Sequence, residues 1–352
     1  MTSAEGLRRL LVGAALVSGV ALATSDACGQ GPRRGNPPGG LAAYAAGIFS
    51  AEPSSTEGGL TLLLPIGARA VGLGRAVTAS QGSESAFWNP AGLARIDKGR
   101  FVVLRGNHLA GEATAFSLIL ARQPLGTLTF SYQLLDLGDQ DFRDKDGNVL
   151  GTVSFRDHLG VASFATQVLS WLDTGVNFKV FQTRATCRGQ CTDSGVTGTT
   201  YFLDAGVLAY PMGDVPFRLG LMVAHAGPDL QLINVEQADP LPTRLRVAGT
   251  YEFLHHLLDR DDMEIWATAE LEDRLRELGS PVLYLGAEFA AGQGDQIFAR
   301  AGYGQGQTGQ PAGMAVGLGI RYQQFEIGIG KALSSGGLDD SEPVQITFGV
   351  IF

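Results

Sequence analysis

Val344-Gln345-Ile346-Thr347-Phe348-Gly349-Val350-Ile351-Phe352 closes the sequence. Val344, Ile346, Phe348, Val350 and Phe352 share one parity. Gln345, Thr347 and Gly349 share the other, with Ile351 the one apolar residue among them. A period of two means a strand with one apolar and one polar face. Roughly 9–11 residues is what a tilted strand needs to cross a bilayer. Taken alone, the stretch fits either such a strand or the edge of a soluble sandwich, so the residues upstream decide.

The same alternation recurs through the second two thirds of the chain. Leu128, Phe130, Tyr132 and Leu134 oppose Thr127, Thr129, Ser131 and Gln133; Val176, Phe178 and Val180 oppose Asn177 and Lys179. Similar segments centre on residues 206, 220, 249, 267, 286, 300, 319 and 327. With less regular segments at 100–108, 113–122 and 155–168, and the last strand, the count is about fourteen, an even number as in bacterial single-chain barrels. The apolar parity of the regular segments carries no charge. The other holds Lys179, Asp204, Arg218, Arg244, Arg246, Glu252, Glu264, Glu270, Glu272, Glu288, Arg300, Arg321 and Glu326. Each basic group turned to mid-bilayer lipid costs roughly 2–4 kcal/mol, so reversing the faces costs on the order of tens of kcal/mol. A sandwich also hides one face, but it rarely sustains strands this long with Tyr132, Tyr251, Tyr303 and Tyr322 near their ends, where an interfacial girdle belongs. The expected fold is therefore all-β: a transmembrane, antiparallel, up-and-down barrel whose charged parity faces the lumen.

The gaps alternate in length. Those around residues 123–125, 170–173 and 323–324 are short; those at 136–152, 184–199, 227–242, 305–313 and 334–343 are long. Short periplasmic turns and long outer loops are the habit of such barrels. The connection at 255–262 is longer than that habit predicts.

The N-terminal third reads differently. Arg8 and Arg9 precede an apolar run from residue 10 to 23, the pattern of a signal peptide over residues 1–27. Ser25-Asp26-Ala27 before Cys28 is a poor lipobox. Residues 28–59, rich in Gly, Pro, Ala and Ser, read as a disordered periplasmic leader. No later run is long enough for a transmembrane helix. The hydrophobic share of 45% is ordinary, but 49 glycines suit a narrow barrel where backbones approach closely.

Between leader and barrel, residues 60–99 do not alternate. Leu64-Pro65-Ile66-Gly67-Ala68-Arg69-Ala70-Val71-Gly72-Leu73-Gly74-Arg75 is followed by Ala86-Phe87-Trp88-Asn89-Pro90-Ala91-Gly92-Leu93. Asn89-Pro90 predicts a turn into a short helix through Leu93. The paired motifs, Pro65, Gly67, Arg69, Gly72 and Gly74 with Trp88, Asn89 and Pro90, resemble the N-terminal signature of the PorV/PorQ proteins, which belong with FadL-type transporters of hydrophobic compounds. The likeness in wording covers about 35 residues; beyond them only the architecture corresponds. Arg75 departs from the usual small or polar residue, and the usual acidic pair is reduced to Glu84. The resemblance implies that residues 60–99 fold inside the barrel 100–352 as a plug or hatch. Likewise, Phe348, Val350 and Phe352 resemble the C-terminal signal that barrel-insertion machinery reads.

The inward charges, six basic and seven acidic, argue against a strongly ion-selective pore and suit lumenal ion pairs with a docked plug held by Arg69 or Arg75. Asp144-Lys145-Asp146-Gly147-Asn148 fails as an EF-hand, because Phe142 and Val153 would fall on ligand positions; it reads as a turn. Cys187 and Cys191 suit a small-loop disulfide in an oxidising compartment, and two cysteines alone are too few for zinc. Scattered histidines and the absence of a nucleophile motif give no enzyme, no metal and no cofactor, and no basic cluster points to nucleic acid. Expected partners are outer-membrane lipid, the insertion machinery, and either a hydrophobic ligand or a secretion-system partner, around a monomeric barrel in the bacterial outer membrane. Two functions follow from the resemblance: transport of hydrophobic small molecules through a plugged lumen, or a PorV-like, non-conducting role in type IX protein secretion.

Overall fold

The computed structural model describes residues 57–352 except 109–110, 123–124, 145, 191–194, 212–214, 233–237, 255–261, 306–312 and 335–343. The proposed signal peptide, most of the leader and the 255–261 connection lie outside the described residues. Fourteen strands follow one another: β1 Arg100–His108, β2 Gly111–Arg122, β3 Gly126–Arg143, β4 Val149–Leu169, β5 Leu172–Gly189, β6 Gly195–Ala209, β7 Phe217–Ala226, β8 Arg244–Glu252, β9 Met263–Arg274, β10 Val282–Ala291, β11 Gln296–Gly304, β12 Gly313–Tyr322, β13 Phe325–Ser334 and β14 Val344–Ile351. Each pairs antiparallel with its sequence neighbours, and β14 returns to β1 with Phe101 opposite Val350 and Val103 opposite Phe348. Closure leaves no edge, the condition for a sheet in lipid, where an unpaired N–H or C=O has no water to turn to. No helix among the described residues is long and apolar enough to cross a membrane.

The two parities sort as the alternation predicts. Phe130, Phe178, Leu203, Leu221, Leu318, Ile327 and Phe348 face out, while Thr129, Asn177, Asp204, Met222 and Thr347 are buried within. Outward charges exist, but near strand ends: Arg105 bonds Glu112 at 2.5 Å close to the outer ends of β1 and β2, and Lys331 is exposed near the outer end of β13.

Three expectations need correcting. The long gaps at 136–152 and 184–199 are mostly strand, since only 144–148 and 190–194 separate β3 from β4 and β5 from β6. Their polar faces alternate too weakly for a lipid-facing reading because they stand in water. At about 3.3 Å per residue, the 21 residues of β4 run roughly 70 Å, far beyond an apolar band about 25 Å tall. Tyr132 is accordingly mid-strand, bonded through its hydroxyl to His158 Nδ1 at 2.6 Å, rather than at a strand end. Finally, residues 57–59, placed by composition in a periplasmic leader, sit at the opposite, outer end of the lumen. Glu57 bonds Arg244 at the outer start of β8, and Gly58 N–H donates to Pro240 O in the outer loop at 2.9 Å.

From there the chain descends through the barrel to Gly99 at the periplasmic rim, where Phe352 N–H donates to Gly99 O at 2.9 Å. It forms a short helix, α1 (Ala68–Gly72), and three single 3₁₀ turns at Leu60–Leu63, Ser83–Ala86 and Pro90–Leu93. The last is capped by the Asn89 side chain, which accepts from Ala91 N–H, with Pro90 at the first position, as Asn-Pro dictates. The α1 side packs on β11 to β14, and the Pro90–Leu93 turn on β4 to β6. Wall glycines make room for this backbone: a Cβ on Gly302 would collide with Leu73 and Gly74, and one on Gly330 with Ala68.

Gly302→Leu should therefore cost about 3 kcal/mol or more and deplete the folded, heat-modifiable band on gels. Gly160→Leu, which has open space around its Cβ, should leave that band unchanged. Equal behaviour of the two variants would show that the plug does not seat on the wall.

Candidate functional site

The lumen is filled from the sequence outward by two kinds of contact. Toward the outer mouth an apolar cluster surrounds the Glu57–Arg244 and Glu272–Arg246 ion pairs. Ile66, Leu73, Phe87 and Trp88 of the plug join Phe181 and Phe202 of the wall, together with Leu230 and Leu241 of the outer loop 227–243, in one buried cluster. An isolated bridge between Leu230 and Asp239 folds that loop over the mouth. Trp88 belongs here because its indole N–H has a partner within reach, Ile66 O at 2.9 Å, as a buried tryptophan requires.

The rest is held by charge. Arg69 of α1 forks onto Glu288 of β10 (Nη2 to Oε1 2.8 Å, Nε to Oε2 3.0 Å). Arg300 of β11 approaches the same carboxylate at 2.5 Å. Glu84 accepts the N–H groups of Arg69 and Ala70 at 3.1 and 3.0 Å, and the Thr347 hydroxyl at 2.8 Å. It thus caps the first turn of α1, where Gly67 has no side chain to do so. Gly67 holds φ at 100°, and a Cβ there would strike the Glu84 carboxylate. Gly72 lies against the backbone of Gly317, and Gly74 against Gly302 and Tyr303. Pro65 is half-buried just before α1.

Nearer the outer ends of the same strands, Glu270 of β9 takes both Thr78 N–H and Thr78 Oγ1, at 2.8 and 2.7 Å. Asn89 donates to Thr78 O at 2.7 Å. Asp204 binds Lys179 at 2.6 Å, Asn177 at 2.9 Å and the His225 N–H at 2.8 Å. His225 has φ of 59° at a register slip between β6 and β7, so this carboxylate pins a local bulge. Glu272 pairs with Arg246 at 2.6 Å, and Arg246 lies over the Trp88 ring. Glu252 accepts the Leu254 N–H at 2.8 Å. At the periplasmic rim, Arg95 bonds Asp173 at 2.6 Å and stacks on Tyr210; burial, then the Asp173 charge, raises the Tyr210 phenol above its ordinary range.

Of the plug residues read from the motif, Arg69 meets the wall by charge and Asn89 by hydrogen bonding. Arg75 instead donates to Leu63 O within the plug and lies over Tyr284. Glu57, Thr78, Glu84, Arg95 and Asp173 are anchors that sequence reasoning did not select. Only Glu84 carried a signal, as the remnant of an acidic pair. Phe348 and Phe352 face outward, Val350 is half-buried on the same face, and Phe348 stacks with Phe325 at 6.2 Å. Asp144 accepts the N–H groups of Asp146 and Asn148, closing a turn. Cys187 is disulfide-bonded, and Cys191 lies outside the described residues. Among the described residues no three His, Cys, Asp or Glu side chains gather as a metal site.

Below Arg69 and Trp88, a cavity of about 420 Å³ lies between the plug and the inner ends of β7 and β9 to β13. Arg218, Glu264, Arg321 and Glu326 line it, with Trp266 and Phe298.

No family model and no curated sequence matches the chain. Solved structures do. The CymD monoaromatic hydrocarbon channel superposes with a TM-score of 0.52 at 12% identity, covering 82% of this chain and 97% of its own. A FadL homologue from Pseudomonas aeruginosa gives 0.50 at 10% identity, covering 82% and 98%. The toluene transporter TodX of Pseudomonas putida gives 0.50 at 11%, covering 81% and 96%. The fold is thus that of FadL-type outer-membrane barrels.

Glu288→Ala strands the buried Arg300 guanidinium and frees Arg69. Removing one partner of a buried pair costs about 3–5 kcal/mol, so the urea midpoint in micelles should fall and trypsin should cut after Arg69. A loss below about 1 kcal/mol, the range of exposed pairs, would mean the plug is held elsewhere.

Proposed function

We propose that the protein passes hydrophobic small molecules across the bacterial outer membrane, with the plug as the obstruction that passage must displace. The observation that carries this reading is the division of labour in the lumen. The wall closes without the plug, since each strand's ladder is made with its two neighbouring strands, so the plug can shift without opening the sheet. Phe181 and Phe202 of that wall, with Leu230 and Leu241 of the loop, form a buried apolar cluster just inside the outer mouth, which a passing guest would have to part. There a hydrophobic guest is favoured over water. The FadL-type fold agrees with this use, and CymD, a monoaromatic hydrocarbon channel, and TodX, a toluene transporter, are proteins of the same kind. Catalysis has no part in it.

In this reading the barrel is a monomer, meets lipid with its outer face, and is inserted by machinery that reads Phe348 to Phe352. A second reading, the PorV-like component of type IX secretion, rests on the motif of residues 65–93. It is favoured by the covered mouth, where Leu241 is fully buried: a surface closed to solutes can still receive a protein.

Cells lacking their own hydrophobic channel, and producing this protein, should take up labelled toluene at least severalfold faster than cells without it. Unchanged uptake, with a large protein co-eluting from solubilised outer membranes, would reject transport in favour of the secretion role.

A further inference from the structure

The periplasmic cavity holds two cations that no carboxylate among the described residues pairs with. Of the arginines lining it, Arg69 and Arg300 share Glu288, and Arg100 lies 3.7 Å from Glu326. Arg218 and Arg321 have no carboxylate within ion-pair distance among the described residues. Each finds only a neutral amide: Arg218 Nη1 donates to Gln81 Oε1 at 3.2 Å, and Arg321 Nη1 to Gln296 Oε1 at 2.8 Å. The Nε of each is buried with no hydrogen-bond partner. The two remaining carboxylates are otherwise engaged, Glu264 by the Trp266 indole N–H at 2.9 Å and Glu84 by the backbone of α1.

Both guanidinium groups lie over aromatic rings. The Arg218 guanidinium lies 4.0 Å from the centre of the Trp266 ring, and that of Arg321 5.5 Å from the centre of the Phe298 ring, which it shares with Arg300 at 5.0 Å. A guanidinium over a ring face is attracted to the ring and can still fork its terminal N–H groups onto a carboxylate. Unpaired charge in a cleft is costly to keep, which marks it as a site awaiting a counter-charge. The remaining wall is aromatic, with Trp88, Trp266 and Phe298 all bordering the cavity. Trp266 on β9 and Phe298 on β11 are two strands apart, which is roughly 10 Å, so one ring fits between them.

We infer that this vestibule binds small aromatic carboxylates, the anion at Arg218 or Arg321 and the ring against the aromatic wall. Binding here needs no movement of the plug. It therefore stands or falls independently of whether hydrophobic molecules cross the barrel.

The test uses the full protein in detergent. Of three tryptophans in the chain, Trp88 and Trp266 line the cavity and Trp171 sits in a periplasmic turn, so Trp171→Phe leaves only reporters of the site. Benzoate should quench this variant saturably. Arg218→Gln and Arg321→Gln should each weaken binding about tenfold and together abolish it, with the urea midpoint unchanged. Benzamide, the neutral analogue, should not bind, and inorganic phosphate should bind at least tenfold more weakly than benzoate. Should Arg218→Gln fail to assemble, Trp266→Leu, which removes the platform, should weaken benzoate to a similar degree. No saturable benzoate quenching, equal quenching by benzamide, equal affinity for phosphate, or wild-type affinity in the arginine variants would each overturn the inference.

Discussion

Lipid offers no hydrogen bonds. Every amide and carbonyl of a membrane-spanning sheet must find its partner in the sheet itself, and the only sheet that can do so for all its strands is a closed one. The pairing of Phe101 with Val350 across the β1–β14 seam is where that requirement is met, and the rest follows from it. Closure makes an inside. In a fourteen-strand barrel that inside is too wide for wall side chains alone, so something must occupy it. The chain supplies its own filling, and the wall supplies glycines where that filling presses closest.

The filling is bound differently at its two ends, and the difference follows from solvent. At the outer mouth Leu230 and Leu241 exclude water around the Glu57–Arg244 pair, and burial dominates. Further in, Glu270 on Thr78 and Glu288 on Arg69 fasten backbone and side chain by charge-assisted bonds, which are directional and need exact register. An apolar seal tolerates sliding; a set of ionic latches does not. The plug is therefore located by its charges and sealed by its hydrocarbons.

Strand identity and face were legible because the lipid-facing parity is consistently apolar and every charge of the regular segments sits on the other. This rule repeats every second position, although apolar residues such as Ile119 and Met222 also face inward. That is why Val176, Phe178 and Val180 announced themselves. Legibility failed where the rule lapses. Above the lipid, β4 has water on both faces, so Gly151 to Ser154 carry no parity and read as loop. The site was legible in part. A buried lysine such as Lys179 on a polar parity implies a carboxylate partner, but nothing in the sequence says it is Asp204, because register between strands is set by the turns. Thr78 and Glu57 were invisible: a threonine and a surface-like glutamate acquire their importance only from what the barrel brings opposite them.

The route of residues 57–99 has a consequence for how the molecule comes to exist. Its first described residue is latched at one opening of a ring, and its last joins the ring at the opposite opening, so it is a thread through a hoop. Drawing such a thread through a finished hoop would drag Arg69 and Glu84 past a snug, partly oily bore with their charges unpaired. Building the hoop around the thread avoids that passage. An order of assembly in which the seam between the first and last strands is the final stitch, with the segment already within, meets that constraint.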